Sequence, residues 1–287
     1  MNDYTLSLLL GIIEGLTEFL PVSSTAHIRI AEGLLGVHLD SEYWKMYSVV
    51  IQLGAILSVI AYFWSRLCKF IVTFPRGHLG NRTFLTHPLT RISIAFIVTA
   101  GPSYLLDKRI GKNLENLWVI GFALLVGGAI MWIVDVVYTK PRTNRLEDMN
   151  LFQAVWIGLM QILSALFPGT SRSMATIASG QIAQMSRASA LEFSFFLSIP
   201  TMLAATGYKL FQALHHRQLG AGDPLAPHHP WIVLAIGFVV SFVVALAVVA
   251  WFINWVRRHG FVPFAVYRIL LGFGILAWAW WRSMHPA

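Results

Sequence analysis

From Trp231 to Trp255 the sequence runs for 25 residues with no charge and only Ser241 and Asn254 as polar side chains. A helix needs about 20 such residues to cross the hydrocarbon core of a bilayer. No soluble core requires an apolar run of that length, so this stretch places the chain in a membrane. Five more segments read the same way, giving full spans at roughly 46–66, 89–106, 116–138, 190–213, 230–256 and 262–282. Composition agrees: 12% of the 287 residues are charged, against about 25% in soluble domains. The eleven Trp and nineteen Phe suit lipid contact and the bilayer interface.

Two further apolar segments are interrupted. Tyr4 to Gly36 breaks at Leu20-Pro21-Val22-Ser23-Ser24, and Leu151 to Ala183 breaks at Phe167-Pro168-Gly169-Thr170-Ser171. Each half is too short to cross at about 1.5 Å per residue. The expected forms are re-entrant helix–loop–helix hairpins at 4–36 and 151–183. Broken backbone at that depth is tolerated where protein or a wet cavity surrounds it. Aligned at an offset of 147, the two breaks match at Gly11/Gly158, Leu16/Leu163, Pro21/Pro168, Ser24/Ser171 and Ile30/Ile177. The expected fold is therefore an all-α polytopic membrane protein with about six full spans and two re-entrant hairpins. It forms a single integral membrane domain over 1–287, with repeat 1 at about 1–138 and repeat 2 at about 150–282.

Three full spans separate the hairpins, so they enter from opposite faces. Inverted repeats of this kind place their site near the midplane. Arg66, Lys69, Arg76 and Arg82 share a face with Lys140, Arg142, Arg145, Arg187, Arg257 and Arg258; Lys45, Lys108, Arg109, Lys112 and Arg217 fall on the other. The more basic face is assigned to the cytoplasm, which puts the first hairpin's entrance and both termini outside. The net charge of +8 is spread through short loops, so nucleic acid is not an expected partner. The single cysteine, Cys68, excludes an intrachain disulfide and a cysteine zinc site. The start MNDYTLSLLL lacks the basic region of a cleavable signal peptide. The loop from His215 to His229 reads as solvated, because Asp223 alone offers a carboxylate there.

Glu14 and Glu18 share one face of the first half-helix. Each costs about 2.5–3.5 kcal/mol at bilayer depth when ionised, and neither has a Lys or Arg within a turn. Such a pair serves proton transfer or holds a divalent cation. Beyond Pro21, Ser23 reads as a helix N-cap, and Ser23 and Thr25 are expected to bind substrate. Ser24 and His27 sit three apart as nucleophile and base, or the imidazole attacks directly. Spacing leaves that choice open, with His27 favoured as nucleophile or activating base. At the second break Gly169 admits close backbone approach. Thr170, Ser171, Ser173 and Thr176 with a helix N-terminus form an anion site, to which Arg172 adds a planar fork for phosphate. One hairpin supplies acids, hydroxyl and imidazole; the other supplies a cationic cradle. That combination suits phosphoryl transfer from an anionic substrate with its tail in lipid. A polyprenyl-phosphate transporter or flippase is the alternative.

The stretch Glu14-Gly15-Leu16-Thr17-Glu18-Phe19-Leu20-Pro21-Val22-Ser23-Ser24-Thr25-Ala26-His27 resembles the first motif of the bacterial undecaprenyl pyrophosphate phosphatases linked to bacitracin resistance. Pro168-Gly169-Thr170-Ser171-Arg172-Ser173-Met174-Ala175-Thr176-Ile177 resembles the second. Glu192 to Pro200 and the late Tyr267-Arg268 are similar too, and the resemblance spans nearly the whole chain. Ala26 and Met174 stand where that family more often has glycine, a change expected to narrow the cavity or alter a close backbone approach. The resemblance implies hydrolysis of C55 polyprenyl diphosphate to the monophosphate and inorganic phosphate. It places this at the outer, periplasmic face of the cytoplasmic (inner) membrane, with dependence on a divalent cation (Mg²⁺ or Ca²⁺). It implies acid–base or metal roles for Glu14 and Glu18, nucleophile candidates in Ser24 and His27, and diphosphate binding by Arg172 with Ser171, Ser173 and Thr176. Expected partners are the lipid diphosphate and membrane lipids; oligomeric state stays open, a homodimer included.

Overall fold

A computed structural model describes residues 2–37, 41–77, 80, 82–106, 116–215 and 226–285. Among them are eleven α-helices and no strand: α1 (Asp3–Thr17), α2 (Ser24–Leu34), α3 (Glu42–Tyr62), α4 (Trp64–Val72), α5 (Pro88–Leu105), α6 (Leu117–Val137), α7 (Leu151–Leu166), α8 (Arg172–Ile182), α9 (Arg187–His215), α10 (Pro230–His259) and α11 (Val262–Met284). Local chemistry sets several starts. Asn2, Ser41 and Asn116 accept from first-turn amides of α1, α3 and α6. Asn150 and Gln153 form a reciprocal capping box on α7.

Five helices are long and apolar enough to cross a membrane: residues 43–62 of α3, α6, residues 187–208 of α9, α10 and α11. The chain is thus a multi-pass membrane protein. The sixth expected span, α5, forms an 18-residue helix. It carries Arg91, Pro88 and Pro102, and these lower its apolarity below that of the other five. Outward faces present Ile133, Val243, Trp251, Leu270 and Phe273, the residues lipid accepts. Inward faces carry small residues that let backbones approach. A Cβ on Gly11 would lie 2.8 Å from the Gly237 carbonyl, and one on Gly158 would lie 2.5 Å from the Ala95 carbonyl.

Helix contacts recur when α1, α2, α3, α5 and α6 are exchanged for α7, α8, α9, α10 and α11. The hairpin helix α1 packs on α10, as α7 packs on α5; α3 packs on α10, as α9 packs on α5. The pairs α3–α9 and α6–α11 map onto themselves. Each hairpin therefore leans on the later helix of the other half, and the two halves interdigitate. The described basic loops converge at one end. Arg66 pairs with Glu147 and Glu192, Arg82 with Asp148, and Arg187 with Asp135. The opposite end holds Tyr43, whose hydroxyl donates to the Pro230 carbonyl. Lys108, Arg109, Lys112, Arg217 and Asp223 lie outside the described residues.

Candidate active site

Both hairpins break for one local reason. Proline cannot continue a helix and restricts the residue before it, so α1 and α7 stop short of Pro21 and Pro168. Each loop then turns through a serine with positive φ, Ser23 (φ 75°) and Ser171 (φ 67°). A non-glycine residue there stores about 1–3 kcal/mol of strain, which the surrounding contacts must offset. Each serine also caps the next helix. Ser23 Oγ accepts from Ala26 N, and Ser171 Oγ accepts from Met174 N. The structural register past the breaks is therefore 148, not 147. Ser23 matches Ser171 and Ser24 matches Arg172, because the second hairpin has one more residue between its proline and its capping serine. The identities at Ser24/Ser171 and Ile30/Ile177 are not positional equivalents.

The loops are tied together by a residue far away in sequence. Arg268 on α11 is fully buried. Its guanidinium donates to the carbonyls of Pro21 (3.0 Å), Gly169 (3.0 Å), Thr170 (3.0 Å) and Ala123 (3.2 Å). Gly127 leaves the space it fills: a Cβ there would collide with the guanidinium. Gly169, at φ 96°, presses on α6, where a Cβ would meet the Ile120 carbonyl at 2.6 Å.

With the loops pinned, α2 and α8 begin at a common cavity of about 140 Å³ walled by Glu18, Ser24, Thr25, Gln52, Ser164 and Arg172, with Ser23, Gly169 and Ser171 at the turns. First-turn N–H groups lack intrahelical acceptors, so two positive helix ends meet there. Ser24 Oγ donates to Glu18 Oε2 at 2.5 Å. Arg172 Nη2 donates to Glu18 Oε1 at 3.1 Å, while its buried Nη1 has no partner. Glu18 thus joins a hydroxyl from one hairpin to a cation from the other. Glu14 is buried one helical turn before it on the same face of the chain. Glu14 Oε1 has no partner.

The remaining expected residues separate into two groups. Thr25, Ser23, Gly169 and Ser171 line the cavity. Thr170, Ser173 and Thr176 do not; they brace it. Ser173 Oγ donates to the Glu18 carbonyl, Thr176 Oγ1 pairs with Ser194 Oγ at 2.7 Å, and the Thr170 carbonyl holds Arg268. His27 is turned away from Ser24. Its Nδ1 meets the Ser23 carbonyl at 2.8 Å, and its Nε2 meets the Tyr267 hydroxyl at 2.7 Å with the rings stacked. Both ring nitrogens are occupied, and the hydrogen bond of the Ser24 hydroxyl goes to Glu18. Ala26 and Met174 are packed in the core and do not line the cavity, so neither narrows it.

A model of the family described as bacitracin resistance protein BacA matches residues 7–274. The chain belongs to this family. An undecaprenyl-diphosphatase of Koribacter versatilis is 59% identical, covering 97% of this chain and 99% of the relative. An undecaprenyl-diphosphatase of a Bradyrhizobium species is 41% identical, covering 97% and 98%. One from Thermus thermophilus is 39% identical, covering 92% and 93%. In this BacA-family chain the motif reading missed Gln52 and Ser164 in the wall and the anchoring role of Arg268. The pair Tyr267-Arg268 stood out only as a family likeness. An arginine within the apolar run 262–282 was the available signal, since intramembrane charge seeks a partner.

Proposed function

We propose that this chain hydrolyses undecaprenyl diphosphate to undecaprenyl phosphate and inorganic phosphate, returning the lipid carrier to cell-wall synthesis. The carrying observation is the Ser24–Glu18–Arg172 chain set between two helix N-termini. Ser24 Oγ attacks the terminal phosphorus as its proton passes to Glu18. The bond from that phosphorus to the bridging oxygen breaks, and undecaprenyl phosphate leaves. Glu18 passes that proton to the departing phosphate oxygen and is then free to deprotonate a water, which cleaves the phosphoserine ester; the proton returns from Glu18 to Ser24 Oγ as inorganic phosphate is released. Arg172 is poised to hold non-bridging oxygens through the unpaired Nη1. A cavity of about 140 Å³ admits a phosphate group, given roughly 30 Å³ per water. It excludes the polyprenyl tail, which stays in lipid.

Glu14 and Glu18 fit a divalent cation. Two buried carboxyls one helical turn apart repel unless a proton or a cation lies between them, and Glu14 Oε1 is buried without a partner. When bound, a cation supplies charge neutralisation for the diphosphate. The described residues hold no cluster of three or more His, Cys, Asp or Glu side chains, so substrate oxygens and water would complete its shell.

A carrier of polyprenyl phosphate would need the cationic cradle but not a serine hydroxyl held on a carboxylate, which favours hydrolysis. The protein is placed in the bacterial inner membrane with the cavity open to the outer face, because the opposite end is the more basic. Phosphate release from undecaprenyl diphosphate and from its monophosphate, with and without Mg²⁺ or Ca²⁺, tests the reaction. Release from the diphosphate that is lost in Arg172→Ala supports it; saturable lipid binding with no release under any cation moves the assignment to a carrier. Cys68, at the basic end, should react with a membrane-impermeant maleimide only after the cells are opened. Labelling of intact spheroplasts would reverse the orientation.

A further inference from the structure

A larger cavity, about 960 Å³, lies at the basic end and shares no lining residue with the catalytic cavity. Its charges do not cancel. Glu147 and Glu192 bind Arg66, and Asp148 binds Arg82. Those contacts use all three acids of the wall on two arginines. Lys69, Arg145 and Arg257 also line it and have no carboxylate partner among the described residues. Ser189 in the same wall is buried, and its hydroxyl has no hydrogen-bond partner. Burial first, and then the Arg82 charge, hold the His87 imidazole in this wall below its ordinary pKa.

The position of α4 says what kind of anion can enter. Arg66, Lys69, Phe70 and Thr73 face the cavity at helical spacing. Trp64, Ile71 and Val72, on other faces of α4, are exposed, as are the nearby Phe74, Phe84 and Leu85. A short helix with one apolar face and one basic face lies in the membrane interface. The cavity is thus bordered by exposed apolar side chains, while its wall carries exposed cations with no carboxylate partner among the described residues. Tyr62, Phe63 and Ile253 add apolar side chains to the cavity wall.

We propose that this cavity binds the phosphate headgroup of an anionic phospholipid, with the acyl chains leaving past α4. Unpaired basic groups between helices at a membrane surface recognise such headgroups. The site is separate from catalysis and does not depend on the substrate assignment.

Native mass spectrometry of detergent-purified protein, titrated with dioleoyl phosphatidylglycerol or dioleoyl phosphatidylcholine, tests it. The native chain should bind the anionic lipid more tightly. That preference should fall about fivefold per cation removed, hence roughly a hundredfold in K69Q/R145Q/R257Q. These three side chains are exposed, so the variant should keep its fold. If it is not monodisperse, R257Q alone should still lower the preference about fivefold. Arg172→Ala should leave the preference intact. Equal binding of the two lipids, a preference that survives the triple substitution, or one lost in Arg172→Ala would each overturn the proposal; the last would seat the lipid in the catalytic cavity. Displacement by inorganic phosphate at equal concentration would assign the site to free phosphate and overturn the lipid reading as well.

Discussion

Ser24 and His27 follow Pro21 by less than two helical turns, yet their side chains have different work. Ser24 rests on Glu18 at 2.5 Å, whereas His27 bridges the Ser23 carbonyl and Tyr267. Glu18→Gln and Ser24→Ala should therefore each lower kcat by at least about 100-fold, the range for positioned acid–base groups. Combining them should add little, since the residues act as one unit; full additivity in steady-state rates would separate them. The His27 ring joins the carbonyl of the positive-φ Ser23 turn to the Tyr267 hydroxyl. His27→Ala and Tyr267→Phe should then be coupled by about 0.5–3 kcal/mol in a double-mutant cycle on thermal stability. Independent effects would mean that their hydrogen bond does not hold the loop.

At the scale of elements, the site exists because two broken hairpins meet. Hairpin geometry alone gives each loop a strained serine and a helix N-terminus. Arg268, from a third element, fixes the loops relative to each other through the carbonyls of Pro21, Gly169 and Thr170, and ties them to α6 through that of Ala123. Lysine has three donors where arginine has five, and its ammonium cannot span the same fork. Arg268→Lys should leave at least one buried carbonyl unpaired, a cost of about 1–3 kcal/mol. It should also lower kcat by roughly 100-fold by displacing the loops on the order of 1 Å. Thermal unfolding in detergent together with steady-state kinetics checks both parts. Destabilisation with unchanged turnover would leave Arg268 a purely structural residue.

For the whole molecule, interdigitation makes distant positions equivalent. Gly11 lies under α10 and Gly158 under α5, each with a carbonyl where a Cβ would go. Gly11→Ala and Gly158→Ala should destabilise by about 1–3 kcal/mol each, the usual cost of overpacking. The two melting temperatures should fall alike. A large loss at one position and none at the other would show that the halves do not share the load.

Much of this was legible in the chain itself. Membrane residence followed from uncharged runs such as 231–255, because hydrocarbon admits few charges. The hairpin breaks followed from Pro21 and Pro168, because proline forbids helix continuation wherever it occurs. Glu18, Ser24 and Arg172 stood out because polar groups at membrane depth need a purpose. These are local rules, each read within a turn or two. Which polar groups actually touch is not local. One extra residue between proline and capping serine in the second hairpin shifted the repeat register, and α11 supplied both the partner that turns His27 aside and the arginine that locks the loops. Thr170, Ser173 and Thr176 were expected at the phosphate and instead brace the walls, since one helix face points inward while the next packs on a neighbour. Helical phase is set by packing against other elements, and that packing exists only in the tertiary structure.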